Sequence, residues 1–404
     1  MSYRGLYIYP WDISDQGDLP GFATEMRAIG VNTLCIASAY HAGKFLRPHG
    51  RGGKVFFPQD GAVYLPTRPE TYGTIRPIMA RQGLGADAMR VLRAHGLNLS
   101  AWTVLFHNTA LGARYPQFAC HNAFGDCYPY SLCPSHREVR AYGVSLCRDI
   151  AAHPHIDGLV LETPGWQPFH HGFHHEMSLL SPNPWSDTLL GLCFCGACVA
   201  GATGAGIGVC GVRQRVREHL SAYFARRGDG TAAEGHDRLM HAVLFDDDLR
   251  AFLRWRCGQV TSLVAEIRQA ISPDVSVHAI PSVQASPVQA WVEGTDLAAL
   301  AGACDGLEVC LYGADTRALL SRFEDVRDIV PDQDSLRAVL RPAACDFSDA
   351  ASFGAQVDAL ARRGVRDFAF YNFGHLRREN INWIGQALDD LPAPDRAGIV
   401  TSMH

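Results

Sequence analysis

His155-Ile156-Asp157-Gly158-Leu159-Val160-Leu161-Glu162-Thr163-Pro164 is a short apolar run that ends in a carboxylate and is bounded by turn formers. Such a run suits a strand buried on both faces. A glutamate is costly there unless it points at a partner or a ligand. Glu162 therefore marks a strand exit where chemistry is expected, while Asp157 starts the same strand and belongs to its far, structural end. Seven other segments share this buried-strand character: residues 4–11, 33–40, 97–107, 275–283, 305–312, 336–342 and 367–373. Helical patterns lie between most of them, at 22–29, 86–94, 139–152, 248–270, 297–301, 314–329 and 353–363. Gly30, Gly96 and Gly364 each follow a helix and precede a strand, the C-cap signal of an αβ loop. Alternating strands and helices imply a parallel sheet. Eight such units predict an α/β fold of the (β/α)8 TIM-barrel type, with the active site at the C-terminal strand ends. No Gly-rich dinucleotide fingerprint follows the first strand, which argues against a doubly wound open sheet.

The 404 residues are read as one barrel domain spanning 1–404. Two connections are too long for plain loops: 41–85 after strand 2, and 163–274 after strand 4. The second is expected to form an inserted subdomain with a cysteine cluster and helical segments. The glycine-rich run at 201–211 is expected to be a flexible link. Long insertions after barrel strands build pockets.

A composition of 47% hydrophobic and 19% charged residues is that of a soluble globular chain. The net charge of -5 gives no electrostatic case for nucleic acid or an anionic membrane surface. No apolar run reaches membrane-span length. The chain enters a strand-like run at once, without a basic and then apolar leader, so a cytoplasmic location is expected. With that location, 13 cysteines favour free thiols and a metal site over a disulfide framework.

Polar residues recur at the strand exits. Trp11, His41, His107, Asn108, Tyr312, Arg341 and Tyr371 are expected to line a substrate pocket, with Glu162 at its centre. Glycosidic cleavage ordinarily uses two carboxyl groups, one to protonate the leaving oxygen and one to attack or to activate water. Glu308 is the partner named first. It lies in Asp305-Gly306-Leu307-Glu308, an echo of Asp157-Gly158-Leu159-Val160 that places it two residues deeper than Glu162. Asp12, Asp315 and Asp346 are the other acids in play. Cys193, Cys195 and Cys198, in a Cys-x-Cys-x-x-Cys motif, fit a tetrahedral structural zinc that needs a fourth donor, from Cys120, Cys127, Cys133 or Cys210. His170-His171-x-x-His174-His175 is a second possible ligand group.

Cys133-Pro134, the Arg137-x-x-Arg140-x-Tyr142 helix, Asp157-Gly158-x-x-x-Glu162 and the cysteine motif follow one another in that order. This order resembles a group of bacterial TIM-barrel glycoside hydrolases that carry a Cys-x-Cys-x-x-Cys zinc cluster after the strand-4 acid. It is more distantly similar to the zinc-containing β-galactosidases of clan A. The motifs cover roughly residues 100–200. The resemblance implies that Glu162 takes the strand-4 acid position, that Cys193, Cys195 and Cys198 bind zinc, and that an upstream cysteine completes the set, here assigned to Cys133. Two positions differ from clan A: Leu161 stands where an Asn precedes the acid, and strand 7 offers Arg341 and then Asp346 rather than a Glu.

The expectation is a glycosidase acting on a small glycoside or oligosaccharide, with structural zinc as the only cofactor. Its partner would be a small carbohydrate, and a homo-oligomer is left open. Two alternatives stand beside it. One is a metal-dependent sugar isomerase, epimerase or lyase using Glu162 with His41, His107, His170, His171, His174, His175 and His278. The other is a barrel that binds sugar without cleaving it.

Overall fold

The computed structural model describes residues 2–391 apart from 172, 174, 175, 182, 229, 284, 285 and 314. Eight parallel strands form its centre: β1 (Arg4–Ile8), β2 (Thr33–Tyr40), β3 (Asn98–Val104), β4 (Gly158–Glu162), β5 (Ser276–Ala279), β6 (Gly306–Cys310), β7 (Leu336–Leu340) and β8 (Asp367–Phe370). Each pairs in parallel with the next, and β1 pairs with both β2 and β8, which closes the sheet. The chain is a (β/α)8 barrel.

All eight strands lie within the segments expected from sequence, but most end earlier than the apolar pattern does. Leu105, Phe106 and Leu311 continue the pattern because they stay buried in the main core and their N–H groups still donate to Glu162 O, Thr163 O and Val339 O on the neighbouring segments. The strands are apolar on both faces. Leu159 and Leu161 of β4 pack outward into the main core with the surrounding helices, while Val160 joins Tyr7, Trp102, Val339 and Ala369 inside the barrel. Glu162, two residues beyond Val160, shares the inward face.

Three strand entries are latched alike. The carboxylates of Asp157, Asp305 and Asp367 accept the backbone N–H of Leu99 (2.9 Å), Val277 (2.7 Å) and Tyr3 (2.7 Å) on the neighbouring chain segment. The Asp of the repeated Asp-Gly phrase, like Asp367 before Phe368, is thus a latch at the base of the barrel. Gly306 has φ +158 and lies against Ser335 O and the His278 ring, so a side chain there would collide with backbone.

The connection 41–85 forms the short antiparallel pair Phe45–Leu46 and Val55–Phe56 and adds Ala62–Val63 beside β2. Among the described residues, the connection 163–274 holds five helices: Pro184–Leu190, Gly196–Gly204, Val209–Ala225, Ala232–Phe245 and Asp247–Gln269. They close over a core of their own that includes Trp185, Phe194, Val212, Leu220 and Phe252. Residues 201–211 are not a flexible link. They finish one helix and begin the next around Gly206, because Ala202, Val209 and Val212 bury themselves in that core. Packing overrides the helix-breaking tendency of glycine here. Among the described residues, no helix is long and apolar enough to cross a membrane.

Candidate active site

At the C-terminal strand ends a cavity of about 420 Å³ opens around Glu162. Trp102 of β3, Tyr7 of β1 and Tyr40 of β2 line one side, and Tyr312, Arg341 and Tyr371 the other. The Trp102 Nε1–H donates to Glu162 Oε2 at 2.5 Å. Burial pushes the Glu162 carboxyl up to about 7, against the Trp102 hydrogen bond, which favours the charged form. Glu162 is the only carboxylate among the described residues that line this cavity. The next residue, Thr163, has φ +54. A β-branched residue in that region costs about 1–3 kcal/mol, and such strain is concentrated at functional sites. The turn redirects the chain straight after the carboxylate.

The phenols form a chain across the mouth. The Tyr9 hydroxyl lies 3.2 Å from that of Tyr40 and 3.3 Å from that of Tyr371. Arg341 caps the Tyr312 ring at 4.9 Å and donates twice to Asp346, at 2.6 and 2.7 Å.

An adjoining groove of about 350 Å³ shares His171 with this cavity and is lined by His41, His107 and His170. His41 stacks on Tyr40 at 4.3 Å and on His107 at 4.2 Å. His170 pairs with Asp187 at 2.8 Å. Stacked rings do not converge on a point, and among the described residues the only metal-competent group is the cysteine cluster. His174 and His175 lie outside the described residues. His278 faces the barrel interior, where burial holds its imidazole well below its ordinary range.

Glu162, Tyr312, Arg341 and Tyr371 are thus brought to one cavity, and His41 and His107 to the groove beside it. Three expected site residues go elsewhere. Glu308 is fully buried on β6, one layer below the cavity floor, held by Arg337 at 3.0 Å and by the Tyr7 hydroxyl. Asn108 caps the helix Thr109–Arg114, accepting from Leu111 N at 2.9 Å and donating to Gly61 O at 3.1 Å. It is a polar strand exit because a helix N-terminus needs an acceptor there. Trp11 is buried in a ring stack with Tyr9 (4.6 Å) and Phe56 (4.5 Å), outside the cavity lining. The other acids are also committed: Asp12 to Arg47 at 2.7 Å, Asp346 to Arg341, and Asp315 to the cap of the helix Thr316–Ile329. Trp102 and Tyr7 were missed. Both stand on inward-facing positions of their strands, inside runs that are apolar on both faces.

The thiols of Cys133, Cys193, Cys195 and Cys198 all lie within 4.8 Å of one another and are buried. Cys133 Sγ is 3.4 Å from Cys198 Sγ, 3.6 Å from Cys195 Sγ and 3.8 Å from Cys193 Sγ. A tetrahedral ion with metal–sulfur bonds of about 2.3 Å sets its sulfurs about 3.8 Å apart. Arg256 supplies an independent test of fit. It is 0% exposed and stacks at 4.5 Å on Trp166, a member of the same buried cluster as the cysteines. Its Nη2 donates to Val292 O at 3.2 Å, while its Nε and Nη1 have no hydrogen-bond partner among the described residues. A buried guanidinium without a counter-charge is costly, whereas four thiolates around a divalent ion carry the net negative charge that balances it. The cluster therefore fits a metal. Of the other cysteines considered as fourth donor, Cys210 is exposed and Cys127 faces Pro116 O, while Cys120 lies at the rim, against Ser131.

No family model matches the chain, and no curated protein matches its sequence. Its fold is found among solved structures. The glycoside hydrolase domain of PgaB (BpsB) from Bordetella bronchiseptica is 13% identical, with a TM-score of 0.60 over 96% of this chain and 98% of that one. The α-L-fucosidase isoenzyme 2 from Paenibacillus thiaminolyticus is 12% identical, with a TM-score of 0.53 over 96% of this chain and 49% of that one. At these identities the likeness establishes the architecture alone: this chain has a (β/α)8 barrel of the kind that glycoside hydrolases use.

Proposed function

We propose that the protein is a glycoside hydrolase in which Glu162 acts as the acid/base group and the four cysteines hold a structural zinc. The observation that carries the proposal is the Glu162 carboxyl itself: alone among the acids lining the cavity, at a strained strand exit, with its affinity for protons raised to about 7. A group poised there keeps a proton at neutral pH to give to a leaving glycosidic oxygen. The aromatic walls of Trp102, Tyr312 and Tyr371 suit stacking against sugar faces, and the cavity volume suits one sugar unit of a small glycoside or oligosaccharide.

A second carboxylate does not line the cavity among the described residues. The proposal therefore gives Glu162 both proton transfers, and leaves attack at the anomeric carbon to water or to a group of the substrate. Zinc, held by Cys133, Cys193, Cys195 and Cys198, would fix the loop after β4 and so the wall of the site. Unpaired thiols at all 13 cysteines suit a reducing compartment, and the proposal places the enzyme in the cytoplasm.

The test is a screen of chromogenic glycosides and of reducing-sugar release with purified, zinc-replete protein. The expected result is turnover that Glu162→Gln lowers by about 10²–10⁴-fold with fold and metal content unchanged. Equal turnover in that variant removes Glu162 from the mechanism.

A further inference from the structure

Two arginines line the Glu162 cavity, Arg322 and Arg341. Arg341 is neutralised by its two-pronged bond to Asp346. Arg322 reaches the cavity from the helix Thr316–Ile329 and has no hydrogen bond or ion pair to any described residue. It is partly buried. The sole carboxylate among the described lining residues, Glu162, takes the neutral Trp102 N–H and makes no ion pair with Arg322. Arg322 is therefore a cation without a carboxylate partner among the described residues, in an aromatic-walled space that a bound sugar would close to water.

A neutral sugar seated here would strip water from Arg322 and return only hydrogen bonds to its hydroxyls, with no counter-charge. An acidic one would replace that water with a charge-assisted pair, and the planar fork of a guanidinium matches the paired oxygens of a carboxylate or sulfate. We propose that Arg322 selects a glycan whose sugar in the Glu162 cavity carries an anionic substituent, a uronate carboxylate or a sulfate. The inference rests on the glycosidase reading and narrows it to acidic substrates. Arg341, its charge already met, serves instead as a flat surface over Tyr312.

The test measures binding of the full chain to three matched sets of short oligosaccharides: uronate-containing, sulfated and neutral. Wild type is compared with Arg322→Met and Arg322→Lys. At least one acidic set is expected to bind about tenfold or more tightly than the neutral set. Arg322→Met should bring that ratio near one, and Arg322→Lys should keep part of it. The uronate and sulfated sets distinguish the two anions. Neutral glycans binding as tightly as acidic ones, or an acidic preference that survives in Arg322→Met, would overturn the inference and leave the glycosidase reading standing. If Arg322→Met does not fold, the Lys variant and the salt dependence of wild-type binding decide, because an ion pair weakens with ionic strength. Failure of all three sets to bind would overturn both readings.

Discussion

Glu162 and Glu308 stand on parallel strands that begin with the same Asp-Gly-Leu phrase, and they meet opposite fates. Glu308 sits two residues into β6 after Gly306, fully buried, with Arg337 and the Tyr7 hydroxyl on its two oxygens. Glu162 sits four residues after Gly158, at the mouth, with one indole N–H and no cation. A single inward step of two residues separates a carboxylate paired with an arginine from one that has no cation on it. The difference teaches that the partner, more than burial, decides what a carboxylate does: both are withdrawn from water, and Glu162, with no cation on it, is driven by that burial toward its protonated form.

The contrast can be broken in several ways. Glu162→Gln should have the largest effect, cutting turnover by about 10²–10⁴-fold in a folded protein whose unfolding midpoint does not fall. Arg337→Met should act on stability instead. Removing one partner of the buried pair is expected to cost about 3–5 kcal/mol in urea unfolding, and Arg337→Met with Glu308→Gln should recover much of it. A site role for Glu308 would show as lost turnover in a protein of near-normal stability. Elemental analysis should find about one zinc per chain, and Cys198→Ser should lose it and lower the melting temperature. Trp102→Phe removes the donor that favours the charged form of Glu162, so the alkaline limb of the activity profile should move upward in pH. Thr163→Gly should have the smallest effect, gaining up to about 1 kcal/mol by relieving the φ +54 strain while turnover falls as the carboxylate loosens.

Linkage gives the same contrast a sign. The Glu162 carboxyl binds its proton more tightly folded, at about 7, than its ordinary value of 4.5. Between those values the native state holds more protons than the unfolded chain, so this group's contribution to stability declines as pH rises. Glu162→Gln should flatten that decline.

The barrel was legible because its strands are apolar on both faces, its glycines cap the helices before them, and an Asp-Gly phrase marks the entries of β4 and β6. Glu162 and the cysteine motif were legible for the same reason: each is a local violation of a buried pattern. Asn108 misled because a helix cap and a ligand contact require the same amide at a strand exit. Trp102 escaped because a tryptophan inside a strand resembles core, and only its inward register distinguishes it. Arg322 lies mid-helix, and no local pattern tells a solvated arginine from one that reaches a cavity. The glycines at 201–211 suggested a link because the core that orders them is assembled from three other helices.

The most direct measurement is the titration of the Glu162 carboxyl, read by carbon-13 NMR of labelled protein and assigned by its loss in Glu162→Gln. The account predicts a midpoint near 7 and a decline of turnover on the same midpoint. A carboxyl that titrates near 4.5, with turnover indifferent to pH through neutrality, would contradict it.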